Sequence, residues 1–214
     1  MPFAGINAKG LVFGQPHTRR ISGFGDPFFR LSINFFGAPA LRAAEFKSYR
    51  QNYIVGGSVR VGVPLGQYDD TRLVNVGSNR WSIKPELGAS KAFGRWTLEL
   101  APAVTLYTDN DDFFGGKTRA EAPLYALQGH ISYTFRPGLW LGLDAVYFNG
   151  GQSTVDGIEN NDRREGTRWG ATLALPLSRY HSIKLYALTG YNAERHHDLD
   201  AVGIAWQYRW GGGF

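Results

Sequence analysis

From Trp81 to Tyr107 the chain alternates apolar and polar residues through two runs joined by Ala-Phe-Gly-Arg (92–95). In the first run Trp81, Ile83, Pro85, Leu87 and Ala89 share one face, and Ser82, Lys84, Glu86, Gly88 and Ser90 share the other. In the second, Trp96, Leu98, Leu100, Pro102, Val104 and Leu106 alternate with Thr97, Glu99, Ala101, Ala103, Thr105 and Tyr107. Period-2 alternation of this length predicts two strands. Folding them about Phe93-Gly94 sets Lys91 against Trp96, Ala89 against Leu98, Leu87 against Leu100 and Pro85 against Pro102. The apolar faces then coincide, whereas a one-residue slip would set leucines against glutamates. Prolines inside strands are costly; pairing them at a non-hydrogen-bonded position turns both ring nitrogens towards outer neighbours.

The same pattern recurs along the chain. Phe3 to Phe13 is a weak strand, interrupted by Gly5 and Gly10. Phe29, Leu31, Ile33 and Phe35 alternate with Arg30, Ser32 and Asn34, and Tyr53, Val55, Val59, Val61 and Val63 with Gly56, Ser58, Arg60 and Gly62. Between them the alanines and charges after Pro39 suit a short surface helix. Tyr125 to Phe135 and Leu139 to Tyr147 flank Arg136-Pro137-Gly138, a tight turn whose glycine is expected at positive φ. Trp169 to Leu177, Ile183 to Ala187 and Val202 to Trp210 complete about ten strands, an even number. Tight turns near residues 93, 137 and 180 share one rim, and the longer polar connections 65–79, 109–119, 150–166 and 192–198 fall on the other. Trp81, Trp96, Tyr125, Tyr133, Trp169, Tyr208 and Trp210 fall towards strand ends, where interfacial aromatics belong.

Strands of about 9–11 residues, apolar on one side and separated by alternating short turns and long loops, predict an all-β, antiparallel up-and-down transmembrane β-barrel. Short turns would then be periplasmic and long loops external. The alternative is a water-soluble β-barrel or sandwich. The 214 residues show no composition shift or linker, so 1–214 reads as one domain. With a mean hydropathy of -0.27 and no long apolar run, spanning helices are excluded, and only a closed barrel remains able to cross a bilayer. The absence of cysteine removes disulfides, thiolate metal sites and thiol nucleophiles. The charge of +5 is scattered rather than gathered into a basic stripe, which argues against nucleic-acid binding. The start, Met-Pro-Phe-Ala-Gly-Ile-Asn, has neither the basic nor the apolar region of a signal peptide.

Five motifs in order carry a family resemblance: Ser-Gly-Phe-Gly-Asp-Pro (22–27), Asn-Phe-Phe-Gly-Ala-Pro-Ala (34–40), Thr-Asp-Asn-Asp-Asp-Phe-Phe-Gly-Gly-Lys-Thr (108–118), Ala-Thr-Leu-Ala-Leu-Pro (171–176) and Ala-Trp-Gln-Tyr-Arg-Trp-Gly-Gly-Gly-Phe (205–214). Together they resemble the outer-membrane proteins of the meta-pathway of phenol degradation family. The resemblance implies a barrel in the bacterial outer membrane, associated with uptake of hydrophobic or aromatic compounds and needing no cofactor. Its expected partners are outer-membrane lipid, a small hydrophobic or aromatic solute and the outer-membrane assembly machinery. Family members carry a signal peptide and further strands before Gly-Phe-Gly-Asp-Pro, for about twelve strands in all. A start lacking them would leave two sheet edges exposed. The aromatic end, Trp206, Tyr208, Trp210 and Phe214, resembles the signal by which outer-membrane proteins are recognised for insertion.

Parity places Arg30, Arg60, Lys84, Glu86, Glu99, His130, Asp144 and Arg168 on the polar, lumenal face. Such charges either select a solute or fill a small barrel with paired networks. Pairing Phe135 with Leu139 sets His130 opposite Asp144, with Ser132 one step along, the residue types of a nucleophilic hydrolase. With no identifiable oxyanion hole and with inward-pointing side chains, a structural His–Asp contact is preferred to an enzyme. Asp109, Asp111 and Asp112 lack EF-hand spacing, and His196-His197-Asp198 point alternately, so both read as solvated loops rather than metal sites. Three readings result: a passive outer-membrane channel, a lipid or ester hydrolase using Ser132, His130 and Asp144, and a sealed structural barrel.

Overall fold

The computed structural model describes residues 2–12, 14–42, 45, 49, 51–192 and 197–210. Its strands are β1 (Phe3–Val12), β2 (Gln15–Phe24), β3 (Phe28–Phe36), β4 (Tyr53–Gly62), β5 (Ser82–Phe93), β6 (Trp96–Tyr107), β7 (Asn110–Phe113), β8 (Lys117–Glu121), β9 (Leu124–Arg136), β10 (Leu139–Gly150), β11 (Ser153–Val155), β12 (Ile158–Glu159), β13 (Arg164–Pro176), β14 (His181–Asn192) and β15 (His197–Tyr208). Nine of them form one antiparallel meander in the order β15-β14-β13-β10-β9-β6-β5-β4-β3. No helix crosses a membrane among the described residues.

Side-chain distribution is inverted relative to a water-soluble domain. Ala174 is the one buried hydrophobic residue among those described, while Leu100, Leu143 and Ile204 are 52%, 51% and 68% exposed. The accessible surface is 14480 Å², against about 9,800 Å² expected of a compact soluble chain of this mass. The exposed apolar residues form a continuous band on one face, because the registers keep like parity together: Leu98 lies beside Ile131, Ile131 beside Leu143, Leu143 beside Ala171. Aromatics border the band. At the tight-turn end Trp96 packs on Tyr133 (4.8 Å between ring centres), and Trp206, Tyr208 and Trp210 stack in series. Trp81 and Tyr125 mark the other end. Tyr125 and Tyr133 are eight residues apart on β9, roughly 27 Å along the strand and roughly 20 Å along a barrel axis at a ~40° tilt, close to an outer-membrane apolar band.

Turn chemistry sets the pairing. Gly94 (φ 61°) and Arg95 join β5 to β6, with positive φ confined to the first central residue, the pattern of a type II′ hairpin. Gly138 (φ 80°) follows Pro137 as expected, and the neighbouring ladder shifts by a bulge between Leu139 and Trp140. From there the register places His130 opposite Asp144, as the turn predicted.

Several expectations are corrected. The β5–β6 hairpin turns one residue later than Phe93-Gly94, so Lys91 meets Leu98 and Ala89 meets Leu100. The offset is two, which keeps every side chain on its face but separates the prolines: Pro85 stands beside Val59 and Pro102 beside Leu127. Residues 15–24, not foreseen as a strand, form β2 and pair with β1 as a separate hairpin. The main sheet has nine strands rather than ten and is open: no ladder joins β3 to β15 among the described residues, so two edges remain. The connections 109–119 and 150–166 are not loops alone, for they contribute the four-stranded sheet β12-β11-β8-β7. The expected helix after Pro39 falls largely outside the described residues; there the Glu45 side chain accepts a hydrogen bond from the Arg42 N–H, and the Tyr49 N–H donates to the Glu45 carbonyl.

Candidate lumenal pathway

The polar face of the meander is the more enclosed one: Ala174 and Ser182 on it are buried, while Leu100, Leu143 and Ile204 on the other are exposed. Arg164 opens β13 and Arg80 leads into β5, and both reach Glu121, which stands between those strands just before β9.

Across β3, β4 and β5, Arg30, Arg60 and Lys84 stand side by side. Three adjacent cations repel, and Glu86 on the next rung relieves two of them, at 2.5 Å from Arg30 and 3.3 Å from Lys84. Arg30 also donates to the Ser58 hydroxyl at 2.9 Å. Arg60 extends instead over the Phe28 ring, at 4.7 Å. Further round the wall a polar chain crosses four strands: Gln51 donates to Ser90 (2.6 Å), Ser90 to Glu99 (3.0 Å), His130 Nδ1 lies 3.1 Å from Glu99, and His130 Nε2 lies 3.7 Å from Asp144. Arg168 lies over Phe148 at 5.3 Å and Lys184 over Trp140 at 5.7 Å. Glycines make room for these large groups. A Cβ on Gly142 would stand 2.6 Å from His130 Nε2, and one on Gly203 would collide with the Tyr186 ring. Along this face runs a cavity of about 310 Å³ whose wall includes Arg30, Ser58, Glu86, Ser90 and Glu99; a larger one, of about 820 Å³, lies chiefly against the apolar face, with Leu98, Ile131, Leu143, Trp169 and Val202 in its wall.

All eight residues expected to line the lumen share the polar face of the meander, in two groups: Arg30, Arg60, Lys84 and Glu86 on β3–β5, and Glu99, His130 and Asp144 on β6–β10 with Arg168 on β13. Of the hydrolase constellation, His130 and Asp144 are brought together; both imidazole nitrogens of His130 face carboxylates, and among the described hydrogen bonds none joins Ser132 to it. Among the described residues no cluster of His, Asp or Glu has the makings of a metal site. The side chains of 196–198, and Phe214, lie outside the described residues.

A second cluster, missed by sequence reasoning, occupies the loop end. The Glu121 side chain is 3% exposed and is held by Arg80, Arg164 and, at 3.8 Å, Arg119. Tyr107 lies beneath Arg80, 4.6 Å from its guanidinium, and close to Arg164. Asp162 supplies the other carboxylate, 3.7 Å from Arg119, while accepting hydrogen bonds from the Ser153 N–H and hydroxyl. Three cations against two carboxylates leave one positive charge over. Burial first, and repulsion by Arg80 second, push the Arg119 pKa down. Buried Asn110 locks this layer to the preceding loop, bonding to Asn79 and Tyr68 at 2.9 and 2.8 Å. One signal was available in sequence: Arg80 and Arg164 continue the lumenal parity of Ser82 and Arg168.

Residues 1–208 match the family described by the MetA-pathway of phenol degradation. The chain is also similar in structure to an outer membrane channel from Pseudomonas putida F1, with a TM-score of 0.72 and 24% identity over 88% of this chain and 67% of that one. At that identity the likeness concerns the fold. No curated protein matches the sequence.

Proposed function

The chain belongs to the MetA-pathway of phenol degradation family, and from that premise we propose that it is a passive outer-membrane channel for small hydrophobic solutes, aromatic ones included. One observation carries the reading: a charged, hydrogen-bonded wall on one face of the meander and an exposed aliphatic band on the other, the arrangement in which lipid lies outside and solute within. The likeness to an outer membrane channel supports it. Solute would move by diffusion down its gradient past Arg60, Lys84, Glu99 and Asp144, without energy coupling. Outer-membrane lipid would meet the aromatic and aliphatic band. Trp206, Tyr208 and Trp210, exposed on and just beyond the edge strand β15, would be read by the assembly machinery.

The test is planar-bilayer conductance of the full chain together with uptake of a small aromatic solute into proteoliposomes. Channel openings with uptake above protein-free vesicles are expected; sealed bilayers with no uptake would remove the transport reading. Glu121 spanning from Arg80 to Arg164 across the loop end favours a second reading, a barrel shut at rest, which predicts conductance only after that bridge is broken.

A further inference from the structure

Beyond the lumen, a cavity of about 400 Å³ opens between the β1–β2 hairpin and residues 71–74. We propose that it binds a small organic carboxylate, a single ring or short chain with one negative charge. The hairpin register puts Ala8 opposite Arg19 and Gly10 opposite His17, so one face of the hairpin is turned to the loop. Leu73, Val74 and Phe114 supply an apolar wall. Arg19 and Arg72 line the same space and share one carboxylate, Asp69, at 3.7 and 3.9 Å. Two guanidinium groups thus share one carboxylate beside the cavity, a balance that favours recruitment of an anion.

An inorganic anion would answer the charge but leave the apolar wall wet; a neutral hydrocarbon would do the reverse. An amphipathic acid satisfies both, and the volume suits a small ligand. Leu73 also borders a smaller cavity lined by Arg80 and Arg119, so the bound acid would sit next to the loop-end arginines. The inference does not require the lumen to conduct.

The test is calorimetric titration of the full chain in detergent with benzoate, benzyl alcohol and acetate. Benzoate is expected to bind at least tenfold more tightly than either of the others. The Arg19→Gln/Arg72→Gln double variant should weaken benzoate at least tenfold. Gly10→Leu keeps the charges but fills the space; Gly10 has room for a side chain and no positive φ, so it should fold and lose binding. Arg179→Gln, in the tight turn at the opposite rim, should leave binding unchanged. Absence of benzoate binding, equal binding of benzyl alcohol, wild-type binding by folded Gly10→Leu, or loss of binding in Arg179→Gln would each overturn the proposal.

Discussion

His130 Nδ1 lies 3.1 Å from Glu99 Oε2 on the adjoining strand, in the row that continues to Asp144. That contact joins two carboxylates of the polar face through one imidazole. Replacing Glu99 by Gln and Asp144 by Asn removes both negative charges while Arg60, Lys84 and Arg168 stay. Permeation should then shift towards anions by roughly twofold, read as the reversal potential in a salt gradient. An unchanged reversal potential would mean that ions do not pass this wall.

At its centre the apolar face should tolerate no charge. Leu143→Arg should destabilise the inserted protein by about 2–4 kcal/mol, as for an arginine near the bilayer midplane, whereas Gln128→Arg on the polar face should cost under about 1 kcal/mol. Chemical unfolding from lipid vesicles measures both.

Glu121 is the sole carboxylate shared by Arg80, Arg119 and Arg164 among the described ion pairs. Glu121→Gln leaves mostly buried Arg80 and half-buried Arg119 and Arg164 short of a counter-charge, at a local cost below the ~3–5 kcal/mol of a fully buried pair. Residues 109–121 should become cleavable by trypsin at Lys117 or Arg119, and conductance should rise. A protected loop with unchanged conductance would show that the cluster holds nothing shut.

Asp69 lies in a loop outside the strands, where the Thr71 hydroxyl, before the weaker pull of Arg19 and Arg72, holds its pKa below the ordinary 3.8. A lowered carboxylate pKa stabilises the fold above the unfolded value and is lost as pH falls through the folded one. The 69–75 loop should therefore be ordered at neutral pH and loosen only below about pH 3.8. Thr71→Ala should raise the Asp69 titration midpoint, as followed by NMR of the side-chain carboxyl; no change would remove the hydroxyl as its cause.

The wall of the protein was legible because each strand meets two different media, and period 2 records that directly. Register was legible where the turn was: Pro137-Gly138 fixed His130 against Asp144, while misplacing the β5–β6 turn by one residue changed partners but, being an even offset, not faces. The loop-end cluster was hidden for another reason. Arg80, Glu121 and Arg164 are joined by docking of short polar strands such as Asn110–Phe113, whose stability comes from tertiary hydrogen bonds rather than from any local apolar pattern.

Because the chain has no cysteine, single cysteines carrying a nitroxide report each site without background. Leu100, Leu143, Leu173 and Ile204 against Lys84, Gln128 and Thr172 in proteoliposomes give the most direct test of which face meets lipid. Collision rates with oxygen should be high and with a water-soluble nickel complex low at the first four, and reversed at the last three. Nickel access at Leu100 and Ile204 equal to that at Lys84 would contradict the membrane assignment.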